Sequence, residues 1–309
     1  DCMFRLFRRQ QESKFLSSFE KLGLADHPPA VACAKYHVLS NGIGGVAVEY
    51  MEESASKAWV RFRYPRWMYA GPAICGIPIE AGRGFLHGWY AQNGVSLGNP
   101  RLGFVCVSED VTGQFGLCGY FKEYDRDLTD AERLVFAPDE RPPAFDPAQQ
   151  PAPPAQDWSD ERLAKANRNY AMEYIRNGVS ALSDVVGRET ARAHASRAAR
   201  LTGLQNYAAM TQAVGGMDGG PEAAADFLVA MFAGMGDDCI RSRDEDGTQR
   251  IVQSGLRIVR GLDGALREDM LESWTELWRG AIQAHRAFIQ VECDRTEEHL
   301  IWSLRPGLV

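Results

Sequence analysis

At 309 residues and 45% hydrophobic, the chain is long enough for about two domains, each with its own core. A formal net charge of −7 lacks the basic footprint of a general nucleic-acid binder, and no apolar run reaches the roughly 18 residues of a membrane span. Seven cysteines, odd in number and never spaced C-x-x-C, argue against a structural zinc site or a disulfide framework and for reduced thiols in a cytoplasmic protein. The first residue is Asp1 rather than Met, which leaves room for residues ahead of it, any targeting signal included.

In chain order, Phe15, Leu16, Phe19 and Leu22 recur at helical spacing and predict an amphipathic helix over 13–24. His27 and His37 fall in loop and strand contexts. Asn41-Gly42-Ile43-Gly44-Gly45 looks like a phosphate-cradling loop, but a strand follows it, so the helix N-terminus that a phosphate needs is missing. Alternation over 45–51 and 57–64, around the polar turn 52–56, predicts a hairpin. Pro65, Pro72 and Pro78 then precede a helix over 82–93 carrying Phe85, Leu86, Trp89 and Tyr90, and a second hairpin over 102–122. Seven prolines within 138–154 fix φ and remove amide donors, so 138–157 reads as an extended linker between a unit at 1–137 and the remainder, 158–309. Two long helices follow, 159–186 and 188–214, the second with a solvated face of Arg188, Arg192, Arg197 and Arg200. Pro221 suits the first turn of a helix ending near Met235. A hairpin over 239–254 comes next, and its acidic flanks, Asp237-Asp238 and Asp244-Glu245-Asp246, read as solvated. The stripe Met270, Leu271, Trp274, Trp278 and Ile282 marks a last helix, before a hairpin over 286–305.

That final hairpin lies on the one at 102–122 without a gap when Asp294 is matched to Asp110. The expectation is an α+β protein of two similar helix–hairpin–helix–hairpin units joined by the Pro-rich linker, the second preceded by two long helices. Such units would enclose a small-molecule pocket at or near their interface.

A three-residue turn ending at Gly113 would set Cys106 opposite Cys118 and Phe104 opposite Tyr120. Two thiols on one patch can pack as small apolar residues, supply a nucleophile, or form a disulfide. His87, at the edge of the aromatic stripe, is placed to act as a general base or to rest half-buried. Arg101, beside Asn99-Pro100, is suited to a substrate carboxylate. Trp59, Trp67, Tyr69, Trp89, Tyr90 and Tyr120 offer flat walls for a small ring or ordinary core. No metal or cofactor motif is present. The partners expected are a small molecule, neither nucleic acid nor membrane, with self-association left open.

The stretch 82–124, with Asn99-Pro100, Phe104, Gly113, Cys118 and Tyr120 in order, resembles the family named for L-2-amino-thiazoline-4-carboxylate hydrolase. That resemblance implies hydrolysis of a C–N bond in a small cyclic amide or amidine, with Cys118 or Cys106 as nucleophile, His87 as base and donors near Asn99 for the oxyanion. The segment HGWYAQNG at 87–94 lacks the cysteine and aspartate usual on that family's helix. The order of elements also resembles vinyl-reductase-type ligand-binding domains, which implies a sensor or carrier.

Overall fold

The computed structural model describes residues 1–63, 78–110, 112–113, 116–153, 158–214, 219–285 and 288–307. It is an α+β structure in two compact units, Asp1–Ala181 and Leu182–Val309. Trp67 and Tyr69 lie outside the described residues.

The first unit opens with helix α1 (Cys2–Phe19), which starts well ahead of the expected one, and α2 (Pro29–Ile43). Helix α2 was not legible as a helix, because Ala30–Ala34, Tyr36–Leu39 and Asn41 are buried on every side and leave no amphipathic period. Its end, Gly44-Gly45, is a turn in which Gly45 takes φ +76. Strands β1 (Val48–Ser54) and β2 (Lys57–Phe62) form the expected hairpin. Helix α3 (Ile79–Gly88), a 3-10 turn and the short α4 (Asn93–Ser96) replace the single helix expected there. Strands β3 (Leu102–Ser108), β4 (Cys118–Glu123) and β5 (Leu134–Phe136) complete a sheet of order β1-β2-β4-β3-β5, antiparallel except for β5 on β3. One face carries Tyr50, Val60, Phe62, Phe104 and Phe121 into the core shared with α1 to α3.

The Pro-rich segment is not a linker. Glu140 accepts a hydrogen bond from the Tyr120 hydroxyl, and the Gln150 amide both accepts from Tyr50 N and donates to Tyr50 O at 2.9 Å. Proline forbids ladder pairing there, so a glutamine side chain satisfies the free edge of β1 instead. The unit boundary moves accordingly to Ala181/Leu182, inside helix α5 (Asp160–Val186).

The second unit contains α6 (Arg188–Val214), α7 (Pro221–Met235), α8 (Gly264–Gln283) and strands β6 (Asp238–Arg243), β7 (Gln249–Ser254), β8 (Ile289–Arg295) and β9 (Leu300–Pro306), in the order β6-β7-β9-β8. Helices α6 and α8 run parallel. Arg188 holds Asp269, Arg200 holds Glu276 at 2.9 Å, and Tyr207 meets His285 one level further along. Several arginines of the supposedly solvated face are thus consumed in a ladder. At the crossing the backbones touch: a Cβ on Gly280 would lie 2.0 Å from Arg200 O, and one on Gly203 2.0 Å from Leu277 O.

Candidate functional site

The candidate residues named from the sequence separate into distinct environments. Pairing runs Cys106↔Gly119 and Ser108↔Cys118 across a bulge, in place of Cys106 opposite Cys118, and Phe104 faces Phe121 rather than Tyr120. The cause is a connection spanning 109–117, longer than the tight turn expected and longer than the 296–299 connection of the last hairpin, so the two hairpins do not align without a gap. A one-residue slip sends a side chain to the other face. Cys106 therefore packs with Phe104 and Phe121 on the helix side, and Cys118 with Met51, Trp59 and Tyr120 on the opposite side.

Burial pushes both thiols up to about 12, with Glu109 adding to it at Cys106 and Arg61 opposing it at Cys118. His87 lies exposed on α3, its ring held below the usual histidine range first by desolvation and then by the Arg83 charge. Among the described residues no hydrogen bond joins its ring to either thiol; Cys106 donates to Ser108 O at 3.3 Å. At pH 8 a thiol titrating near 12 is thiolate in about one molecule in ten thousand. Cys106 and Cys118 are accordingly expected to stay unmodified by iodoacetamide in the folded protein and to react promptly in guanidinium, as read by peptide mass mapping. Labelling of either at the rate of a free peptide cysteine would remove it from the core.

The proposed binding residues are largely occupied by the chain itself. Trp59 and Tyr120 rings stand 4.5 Å apart, their Nε1 and hydroxyl donate to Glu53 and Glu140, and Lys57 Nζ sits 4.2 Å from the Tyr120 ring centre. The cation those rings receive is therefore an internal one. Asn99 and Arg101 do come together, but around Glu123 Oε1, at 3.1 and 2.8 Å. The carboxylate that Arg101 holds belongs to the protein.

His37, expected on a strand, is buried on α2. Its Nε2 lies 2.8 Å from Asn93 Nδ2, and its ring stacks on Tyr90 at 3.9 Å. Cys33, one turn earlier, also meets Asn93, and burial drives its thiol well above the usual range. By residue type this trio could serve nucleophilic catalysis, but all three are 2% exposed or less, so no substrate reaches them. They fasten α2 to α4.

An open space of about 570 Å³ lies inside the first unit, with walls from α1, α2, the end of α3 and α5. Helix α1 contributes Lys14, Ser17 and Ser18, the 3-10 turn after it (Glu20–Leu22) contributes Lys21, and α2 contributes Tyr36, Ser40 and Ile43. Arg162, Lys165, Ala166, Asn169, Tyr170 and Glu173 recur at three- and four-residue spacing, which places them on one face of α5. Trp158 and Trp89 complete the walls. The Arg162 guanidinium lies 4.7 Å from the Trp158 ring centre, Lys14 pairs with Glu173 at 2.9 Å, and Trp158 donates to Lys21 O at 3.4 Å. Gly44 lies against this wall, since a Cβ there would stand 3.0 Å from the Tyr170 ring. Burial raises the Tyr36 hydroxyl far above its usual range, opposed by hydrogen bonds with Ser40 and Ser18.

Of the residues singled out from the sequence as site candidates, Trp89 alone lines this cavity. The signal for the rest is the repeating aromatic, cationic and amide face of α5, which apolar periodicity alone does not single out. In the second unit, concavities of about 630 and 540 Å³ are lined by Arg257, Arg260 and Arg267 and by Arg200, Arg279 and Phe288, without a comparable aromatic wall. Among the described residues, no group of three or more His, Cys, Asp or Glu side chains is placed to hold a metal ion. No described helix is long and apolar enough to cross a membrane. The chain matches no protein-family model, no curated protein and no solved structure.

Proposed function

We propose that the chain is a small-molecule-binding protein, a sensor or carrier, which retains its ligand in the cavity formed by α1, α2 and α5 without transforming it. The observation that carries this reading is the joining, in one space of about 570 Å³, of aromatic walls with a few charged, hydroxyl and amide groups. Ligand sites combine size, apolar surface and sparse polar anchors in this way. Ring-opening hydrolysis, implied by the family resemblance, would need Cys118 or Cys106 to reach a substrate that His87 also reaches. Burial of both thiols weighs against that arrangement.

The two units are read as variants of one helix–hairpin–helix–hairpin plan. Support comes from the strand orders β1-β2-β4-β3 and β6-β7-β9-β8, each with a helix between its hairpins. The six described cysteines are free, which supports a reducing, cytoplasmic setting.

The test is native mass spectrometry of the purified protein, with a screen against small cyclic amides, thiazolines, lactams and ring-bearing acids. A ligand that is retained, released unchanged, and lost in Tyr170→Ala is the expected result. A product heavier by one water would replace this reading with the hydrolase. Binding that survives every change in the cavity wall would move the site elsewhere.

A further inference from the structure

Resting on that binding function, we infer that the cavity selects an organic anion with a flat ring, an aromatic carboxylate being the simplest member. The wall carries four basic side chains, Lys14, Lys21, Arg162 and Lys165, against two acidic ones, Glu161 and Glu173. The Lys14–Glu173 pair cancels one of each. Among the described residues no ion pair engages Lys21 or Lys165, and these stand on different elements that border the same space. A small anion between them gains from both, and a cation is repelled. The flat-ring requirement follows from Tyr36, Trp158 and Tyr170, with Arg162 laid over Trp158 to extend a planar surface.

Trp89 is 4% exposed and borders the cavity, yet its Nε1 has no hydrogen-bond acceptor. A buried N–H without a partner is costly: Trp59 donates to Glu53 and Trp302 to Gln253, whereas Trp274 and Trp278 lack an acceptor as Trp89 does. The indole N–H is a donor only, so what it lacks is an acceptor. The positive charge on the wall calls for an acceptor-rich, negatively charged ligand.

The experiment compares matched acid and amide pairs, 2-naphthoate with 2-naphthamide and benzoate with benzamide, by tryptophan fluorescence titration at low and high salt. The acids are expected to bind about tenfold or more tightly than their amides, and to lose that advantage as salt screens the exposed lysines. The double change Lys21→Glu with Lys165→Glu, at exposed positions that leave the core intact, should abolish the preference for acid over amide. Equal affinity of acids and amides, or an acid preference untouched by the lysine changes, overturns the anion inference and leaves the binding function standing. Failure of every member to bind, with no ligand retained in native spectra, overturns both.

Discussion

Replacing Gly280 by leucine is expected to unfold the second unit at temperatures the wild-type protein tolerates. Helices α6 and α8 meet there backbone to backbone, and even the first atom of a side chain would stand 2.0 Å from Arg200 O. No rotamer avoids that contact, because the obstacle is a helix carbonyl rather than a movable side chain. The helices must separate, straining the Arg200–Glu276 and Tyr207–His285 contacts on either side of the crossing. Overpacking of movable side chains costs about 1–3 kcal/mol, and a backbone obstacle places this change at or above the upper figure. A drop on the order of 10 °C in the second unit's melting transition, followed by circular dichroism, is the expected reading. Gly178→Ala, in the first unit, is the contrasting case: it lies inside α5 with nothing within 4 Å of the added atom, and should stabilise by about 0.5–1 kcal/mol. If Gly280→Leu melts with the wild type, the close crossing is absent in solution.

Trp302→Ala should cost nearly as much by the opposite mechanism. The side chain is fully buried on β9, packed against Phe232 and donating from Nε1 to Gln253 Oε1 at 3.0 Å. Gln253 in turn donates to Asp237 at 2.8 Å, and Asp237 accepts from Arg257 N at 3.0 Å. Desolvation raises the Asp237 carboxyl, with those two hydrogen bonds opposing the rise. Truncation leaves a cavity worth about 3–5 kcal/mol and strips Gln253 of its donor as well. That loss approaches the whole stability of a typical domain, about 5–15 kcal/mol. Trp302→Phe separates the two contributions in part, since it keeps a six-membered ring while removing the N–H and the smaller ring of the indole, and should cost less than the alanine change. Chemical denaturation of both variants checks the order; equal losses would mean that the hydrogen bond, not the packing, dominates.

How much of this was legible depended on whether a residue's neighbours were close in sequence. Helices α5, α6 and α8 were readable because their apolar and charged positions repeat along the segment, and Pro221 did open α7. Helix α2 was not, since burial on all sides erases periodicity. The register of β3 on β4 depended on a bulge at Cys106–Ser108 that no alternation pattern encodes, and that single slip separated the two cysteines. Asp237 looked like a solvated acid because its partners, Gln253 and Arg257, lie 16 and 20 residues away. The cavity is harder still: Lys14, Tyr36, Trp89 and Lys165 share a wall while belonging to four separate segments.

The parallel pairing of α6 with α8 has a consequence for how the protein is made. Arg200 and Glu276 are 76 residues apart, and Arg188 and Asp269 are 81 apart. At about 5–20 residues per second, a ribosome that has finished α6 needs on the order of 4–15 seconds to deliver the helix that will cover it. During that interval the face around Gly203 has no partner, and α7 with the first hairpin of the unit emerges ahead of α8. A nascent-chain chaperone, or slow translation placed after α8 rather than before it, would act on this exposed helix at the stage when it is most open to misassembly.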